Sequence, residues 1–83
     1  MTDKILKFSA KWCGPCKQLA MTLHGEDLGV PVVEVDIEQE SAVAQQYGVR
    51  SVPTLVYVRK DTEVSRLIGA QPLEKIRDWA AVQ

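Results

Sequence analysis

The two cysteines of this chain, Cys13 and Cys16, are the residues whose types and spacing best suit chemistry. They are its only cysteines, and only Gly14 and Pro15 separate them. An apolar run ends just before the pair and a segment of helical periodicity begins with it, which predicts a dithiol at a strand-to-helix junction. Because the free N–H groups and the positive dipole end of a helix favour thiolate over thiol, we predict that Cys13 is the attacking sulfur. Cys16 is predicted to lie deeper, one turn further on, and to resolve the mixed disulfide.

Two other roles for the cysteine pair fit the sequence less well. A structural zinc site needs four ligands, and His24 is the only histidine, so a zinc site within one chain would lack nitrogen or sulfur ligands. A purely structural disulfide would enclose a very short loop and would constrain little of the unfolded chain. We therefore expect a redox-active pair, with no bound metal or other cofactor.

Length and composition limit the remaining possibilities. The 83 residues predict a single domain, 1–83, and the formal net charge of −1 argues against binding nucleic acid or a membrane surface. No apolar run approaches the roughly 18 residues of a membrane span. The first residues show no signal-peptide pattern, which predicts a cytoplasmic protein in a reducing environment. We expect it to be a monomer.

The hydrophobic pattern predicts an α/β chain whose elements follow the order βαβαββα. Strands are predicted at 4–9, 32–36, 54–58 and 63–68, and helices at 13–24, 39–47 and 72–82. The first two strands belong to a βαβ unit and are therefore parallel, and the last two form an antiparallel hairpin. Since Thr62 tolerates positive φ poorly, a longer or type I turn is predicted at Asp61-Thr62.

The motif Trp12-Cys13-Gly14-Pro15-Cys16 resembles the active site of the thioredoxin family. Other segments fall in the family's order and spacing: Asp36-Ile37-Glu38, the run 46–54 and Ile68-Gly69-Ala70. The resemblance covers nearly the whole chain. It implies a thioredoxin-like fold, with a four-stranded mixed sheet of order 2-1-3-4 and helices on both faces. It also implies a small member without the N-terminal strand and helix of full-length thioredoxins, which leaves the 32–36 strand at a sheet edge.

The same resemblance implies a substrate groove around the dithiol. Its members would be Trp12 as an apolar lid, Gly14, Pro15, Val52, Pro53, Gly69 and Ala70. Pro53 matches the family's cis-proline, and a cis Val52–Pro53 bond would turn the Val52 backbone outward to pair with an extended substrate. The alternative is an ordinary trans proline that opens an edge strand.

Lys7 and Glu34 depart from the family pattern. Thioredoxins usually carry a buried aspartate where this chain has Lys7, and a lysine where it has Glu34, so the pair is charge-reversed. We predict an ion pair beneath the dithiol that tunes its redox chemistry, either through Glu34 as a proton acceptor for Cys16 or through Lys7 as a cation that stabilises the Cys16 thiolate. The alternative is two solvated surface charges.

The function implied by the resemblance is reduction of protein disulfides by a cycle between dithiol and disulfide. The electron donor would be a thioredoxin reductase, and the partners would be proteins that contain disulfides. Two alternatives stay open at this point. One is a glutaredoxin-like reductase that uses glutathione, and the other is a thioredoxin-fold binding subunit of a larger assembly.

Overall fold

A computed structural model describes residues 2–83 and contains four strands and three helices; Met1 lies outside the described residues. In chain order the elements are β1 (Asp3–Ser9), α1 (Gly14–Leu23), β2 (Val32–Asp36), α2 (Ser41–Gln46), β3 (Thr54–Arg59), β4 (Thr62–Ile68) and α3 (Leu73–Ala81). The predicted order βαβαββα is confirmed. No helix within residues 2–83 is long and apolar enough to cross a membrane.

The helices are shorter than predicted because their flanking residues act as caps or turns. Cys13 and His24 cap the two ends of α1 and are not helical themselves. Before α2, the Asp36 carboxylate accepts hydrogen bonds from the backbone N–H groups of Glu38 and Gln39, which holds this stretch in a turn. The helical period therefore predicts the existence of each helix better than its ends.

The four strands form one mixed sheet in the order β2-β1-β3-β4, as predicted. β1 pairs with β2 in parallel, whereas the β1–β3 and β3–β4 pairs are antiparallel. Alternate residues of β1 supply both faces of the sheet: Ile5 packs with α1 and α3, and Leu6 and Phe8 pack with α2. This arrangement brings the end of β1, and the cysteines that follow it, to one end of the sheet.

The prediction for the β3–β4 turn is wrong. The strands pair up to Arg59 and Thr62, so the loop consists of the two residues Lys60 and Asp61. Both have positive φ, 53° and 63°, which is the requirement of a type I′ hairpin turn. Thr62 lies in β4 and needs no positive φ. Asp61 suits the left-handed region, but nothing in the side chain of Lys60 signals it.

An ionic cluster joins β1 to β3 at the end of the sheet away from the cysteines. Asp3 accepts hydrogen bonds from the Tyr57 hydroxyl at 2.7 Å and from Arg59 Nη2 at 2.9 Å. Arg59 Nη2 also donates to the Gln83 carbonyl at 2.6 Å. The hydrogen bond from Arg59, and then that from Tyr57, lowers the pKa of Asp3. The cluster therefore fastens the start of β1 and the C-terminus to the end of β3.

Candidate redox site

Cys13 and Cys16 form a disulfide at the first turn of α1, with their Cα atoms 5.2 Å apart. Cys13 is the N-cap residue of the helix, and its Sγ accepts a hydrogen bond from the Cys16 backbone N–H at 3.1 Å. Pro15 lies within the first helical turn, where the missing N–H costs no intrahelical hydrogen bond. The sequence thus places the Cys13 sulfur against the helix N-terminus, where negative charge on it is stabilised.

The expectation that Cys16 lies deeper than Cys13 is wrong. The exposed fractions of the two residues are 4% for Cys13 and 6% for Cys16. Both pack with Ala10, and the partly buried side chains of Ile37 and Val52 cover them. Ile37 and Val52 are distant from the cysteines in the sequence, so the burial of each cysteine cannot be predicted from the motif alone.

The Val52–Pro53 peptide bond is cis, as predicted. The side chain of Pro53 is fully buried, and Cys13 Sγ lies 3.7 Å from the Val52 carbonyl oxygen. The Pro53 carbonyl accepts a hydrogen bond from the Gly69 N–H at 2.9 Å. The fold therefore brings together four residues of the predicted site, Cys13, Val52, Pro53 and Gly69, from three separate stretches of the chain.

The other residues of the predicted groove have different surroundings. Trp12 is 66% exposed, so most of its side chain faces solvent, and its role as a lid over the cysteines stays a prediction. Gly14 and Pro15 are exposed at the start of α1. Ala70 is half-buried and packs against the core beneath α1 and α3.

Lys7 and Glu34 are directly paired across the parallel β1–β2 ladder and form an ion pair, with 3.0 Å between Lys7 Nζ and Glu34 Oε2. The exposed side-chain fraction is 12% for Lys7 but 64% for Glu34. This difference arises because β1 is an inner strand whereas β2 is a sheet edge. The pair is therefore neither fully buried nor fully solvated: a mostly buried lysine side chain meets a carboxylate at the surface.

A cavity of about 370 Å³ lies on the same face of the sheet, with Glu34 on one side and Cys16 on the other. Cys16, Ser9, Glu34 and Asp36 contribute to its wall. The Ser9 hydroxyl donates to Glu34 Oε1 at 3.2 Å and so helps to fix the carboxylate. Sequence reasoning missed Ser9, although its position two residues after Lys7 on β1 signals that both side chains share one face.

Residues 2–83 contain no group of three or more His, Cys, Asp or Glu side chains placed to hold a metal ion. The Cys13–Cys16 disulfide is the redox-active group that the structure contains. A cysteine pair at a helix N-terminus beside a cis-proline, on a four-stranded mixed sheet, defines a thiol-disulfide oxidoreductase.

Comparison with known proteins identifies the family. The sequence model of the Thioredoxin family matches residues 1–82, and the chain belongs to this family. It is 37% identical over 75 residues to the thioredoxin of Chlamydia caviae, a match that spans 87% of this chain and 74% of that protein. It is 35% identical over 79 residues to the thioredoxin of Haemophilus influenzae, spanning 90% of this chain and 74% of the relative.

The fold of this chain is also similar to solved thioredoxin structures. A mutant thioredoxin from Halobacterium salinarum superimposes with a TM-score of 0.88 at 31% sequence identity, over 98% of this chain and 74% of that one. The chain is thus a thiol-disulfide oxidoreductase of the thioredoxin family, and the family match does not favour the glutaredoxin-like alternative.

Proposed function

We propose that this protein reduces disulfide bonds in other proteins, with Cys13 as the attacking thiol and Cys16 as the resolving thiol. The observation that carries the assignment is the hydrogen bond from the Cys16 N–H to Cys13 Sγ at the start of α1. In the dithiol form the same donor would stabilise a Cys13 thiolate, because hydrogen bonds to charged acceptors are stronger than those to neutral ones.

The proposed reaction has two displacement steps. The Cys13 thiolate attacks one sulfur of the substrate disulfide, forms a mixed disulfide and releases the other substrate sulfur as a thiolate. The Cys16 thiolate then attacks Cys13 Sγ, which frees the second substrate sulfur and forms the Cys13–Cys16 disulfide. In the net reaction the protein dithiol gives up two electrons and two protons, and the substrate disulfide gains two electrons and two protons, with the protons exchanged through water.

The proposed substrate groove comprises Trp12, Gly14, Pro15, Val52, Pro53, Gly69 and Ala70. Two observations support it. Val52 lies beside Cys13, and neither its N–H nor its carbonyl bonds to another backbone group within residues 2–83. These two groups are therefore available to pair with an extended substrate as an added strand would. The exposed indole of Trp12 offers an apolar contact at the same end of the sheet.

The proposed electron donor is a thioredoxin reductase, and the proposed location is the cytoplasm, since reduction needs a compartment that keeps the dithiol reduced. A coupled assay with insulin as substrate tests the donor. We expect turnover with NADPH and a bacterial thioredoxin reductase to exceed turnover with glutathione by about tenfold or more. Equal or faster turnover with glutathione would contradict the proposed donor and favour the glutaredoxin-like alternative.

We further propose that Lys7 and Glu34 tune the second step, with Glu34 as the proton acceptor for Cys16. Glu34 shares a cavity wall with Cys16, and Lys7 and Ser9 hold its two carboxylate oxygens. A carboxylate that reaches solvent on one side and the cavity on the other can pass a proton from the thiol to water.

The unequal exposure of the two partners gives this proposal an asymmetric test. Glu34→Gln leaves Lys7 buried without its counter-charge, and we expect it to lower the free energy of unfolding by about 1–3 kcal/mol. Lys7→Met leaves only a solvated carboxylate, and we expect it to change the free energy of unfolding by no more than about 1 kcal/mol. Glu34→Gln should also slow mixed-disulfide resolution by roughly tenfold and spare the initial attack.

The measurements are urea unfolding and rapid-mixing kinetics on both single variants and the double variant. Glu38→Gln is the matched control, because Glu38 is an exposed carboxylate just beyond β2. The double variant should recover the stability that Glu34→Gln loses. If Glu34→Gln, Lys7→Met and the double variant all leave the free energy of unfolding and the resolution rate unchanged, the pair contributes nothing to stability or resolution.

A further inference from the structure

We propose that Arg66 is a positioning residue for the substrate groove. Through a hydrogen bond to the Tyr47 carbonyl, Arg66 holds the segment 47–53 in place, and this segment carries Val52 and Pro53 to the side of Cys13. The inference rests on the proposed function, in which the Val52 backbone pairs with an extended protein substrate.

The geometry around Arg66 is specific. Its Nη2 donates to the Tyr47 carbonyl at 2.5 Å and to Glu63 Oε1 at 2.7 Å, and its Nε donates to Glu63 Oε2 at 2.6 Å. The two bonds to the carboxylate form a bidentate pair, which fixes the plane of the guanidinium group. These hydrogen bonds lower the pKa of Glu63, in agreement with a close pair. Glu63 therefore aims Arg66 at the Tyr47 carbonyl.

A β-bulge makes the Glu63–Arg66 pair possible. Residues three apart on a regular strand point to opposite faces of the sheet. In β4 the register shifts, so that Glu63 lies opposite Val58 and Arg66 lies opposite Val56, with Val64 in the bulge between them. Val56 and Val58 both face α2, and the two charged side chains are consequently brought to this same face.

The segment that Arg66 contacts is also attached at its beginning by backbone hydrogen bonds to α2 and by the packing of Tyr47 against Phe8. Tyr47 follows α2, a helix of only six residues, and the last carbonyls of any helix lack intrahelical partners. Gly48 has φ of +62°, and the Val49 N–H returns to the Ala44 carbonyl at 3.0 Å. At the far end, the Thr54 hydroxyl donates to the Ser51 carbonyl at 2.8 Å. Among the side-chain hydrogen bonds described for residues 2–83, Arg66 provides the one cationic donor to this segment.

Arg66 belongs to β4, which also leads into Gly69, and Gly69 bonds to the Pro53 carbonyl. Both ends of the segment 47–53 are thus held by residues of one strand and its continuation. Loss of the Arg66 contact would leave the beginning of the segment held only by its backbone hydrogen bonds to α2 and its core packing, while its end stays attached to Gly69. We infer that the Val52 backbone would then meet a peptide in a less uniform position, whereas Cys13, at the start of α1, would not move.

The test compares two substrates of different size in Arg66→Gln. Insulin can use the Val52 backbone, whereas a small aromatic disulfide such as dithiobis(nitrobenzoate) needs only the Cys13 sulfur. We expect the KM for insulin to rise about fivefold, the effect of weakening one ordinary hydrogen bond between the Val52 backbone and the peptide, with kcat within about twofold. The second-order rate constant for the small disulfide should stay within about twofold of wild type.

Arg59→Gln is the matched control. Arg59 also forms an ion pair with a carboxylate and donates to a backbone carbonyl, but both partners lie at the opposite end of the sheet. We expect it to leave both substrates' kinetics unchanged. Arg66→Lys keeps the charge but loses the bidentate fork, so its KM for insulin should fall between those of wild type and Arg66→Gln. Thermal unfolding of each variant will show whether it folds. If Arg66→Gln does not fold, Arg66→Lys takes its place in the comparison of the two substrates.

Three results would overturn the role of Arg66: an unchanged KM for insulin, an equal loss with both substrates, or the same rise in KM in Arg59→Gln. Failure of the proposed function has a different signature. In that case the wild-type protein itself would not turn over insulin, whatever the variants do.

Discussion

Replacing Cys13 with serine is expected to abolish the reduction of insulin disulfides, with turnover reduced by about a thousandfold or more. A serine hydroxyl at neutral pH is almost entirely un-ionised and is a far weaker nucleophile than a thiolate. The helix N-terminus that stabilises a charged sulfur cannot offset this difference. Insulin precipitation, with dithiothreitol as the electron source, measures the loss.

Because Cys13 is buried in the redox site, the variant's fold must be checked alongside its activity. Circular dichroism and thermal unfolding should show a folded protein, since serine is close to cysteine in size. Met21→Leu, which alters an exposed side chain of α1 outside the proposed groove and keeps both thiols, is a useful comparison and should retain turnover. Turnover by Cys13→Ser at a rate near that of wild type would show that Cys13 is not the attacking residue.

The largest effect on stability is expected from Phe8→Ala, which should lower the free energy of unfolding by about 3–5 kcal/mol. Phe8 is completely buried on the inner strand β1, in a cluster with Leu6, Val56 and Val58. Its ring centroid lies 5.9 Å from that of Tyr47. Truncation would leave a cavity that these side chains cannot fill. Since the free energy of unfolding of a typical protein is only about 5–15 kcal/mol, this loss would be a large part of the total stability.

Urea unfolding followed by circular dichroism measures this change. Val64→Ala, on the exposed side of β4, removes an apolar side chain that is not in the core and should change stability by no more than about 0.5 kcal/mol. Phe8→Leu keeps most of the volume and should cost less than Phe8→Ala. A loss below about 1 kcal/mol for Phe8→Ala would contradict the placement of Phe8 at the centre of this cluster.

Features that depend on chain pattern could be predicted from the sequence. The apolar run before Cys13 and the helical period after it predict a strand followed by a helix, and the βαβ unit makes β1 and β2 parallel. The sheet order and the cis bond before Pro53 came from the family resemblance, and both are confirmed.

Features that depend on distant contacts or on single backbone angles could not be predicted. The exposure of Cys16 depends on Ile37 and Val52, which the motif does not contain. Lys60 adopts positive φ in a two-residue turn although lysine does not favour it. The bulge at Val64 leaves no signature in composition, so the approach of Glu63 and Arg66 emerges only from the register of β3 and β4.

The pairing of Lys7 with Glu34 lies between these cases. Their positions on neighbouring strands follow from the predicted sheet, and they do form an ion pair. Their unequal exposure depends on which strand is at the edge and on how far each side chain reaches. The two charges were predicted to share one environment, but the Lys7 side chain is mostly buried whereas that of Glu34 is mostly exposed.

The most direct measurement of the proposed mechanism is covalent trapping with Cys16→Ser. In this variant Cys13 can still attack a substrate disulfide, but no second thiol is present to resolve the product. Incubation with insulin, followed by non-reducing peptide mass spectrometry, should find a stable mixed disulfide on Cys13. If no adduct accumulates, or if Cys16 in the Cys13→Ser variant forms one equally fast, the assignment of Cys13 as the attacking thiol is contradicted.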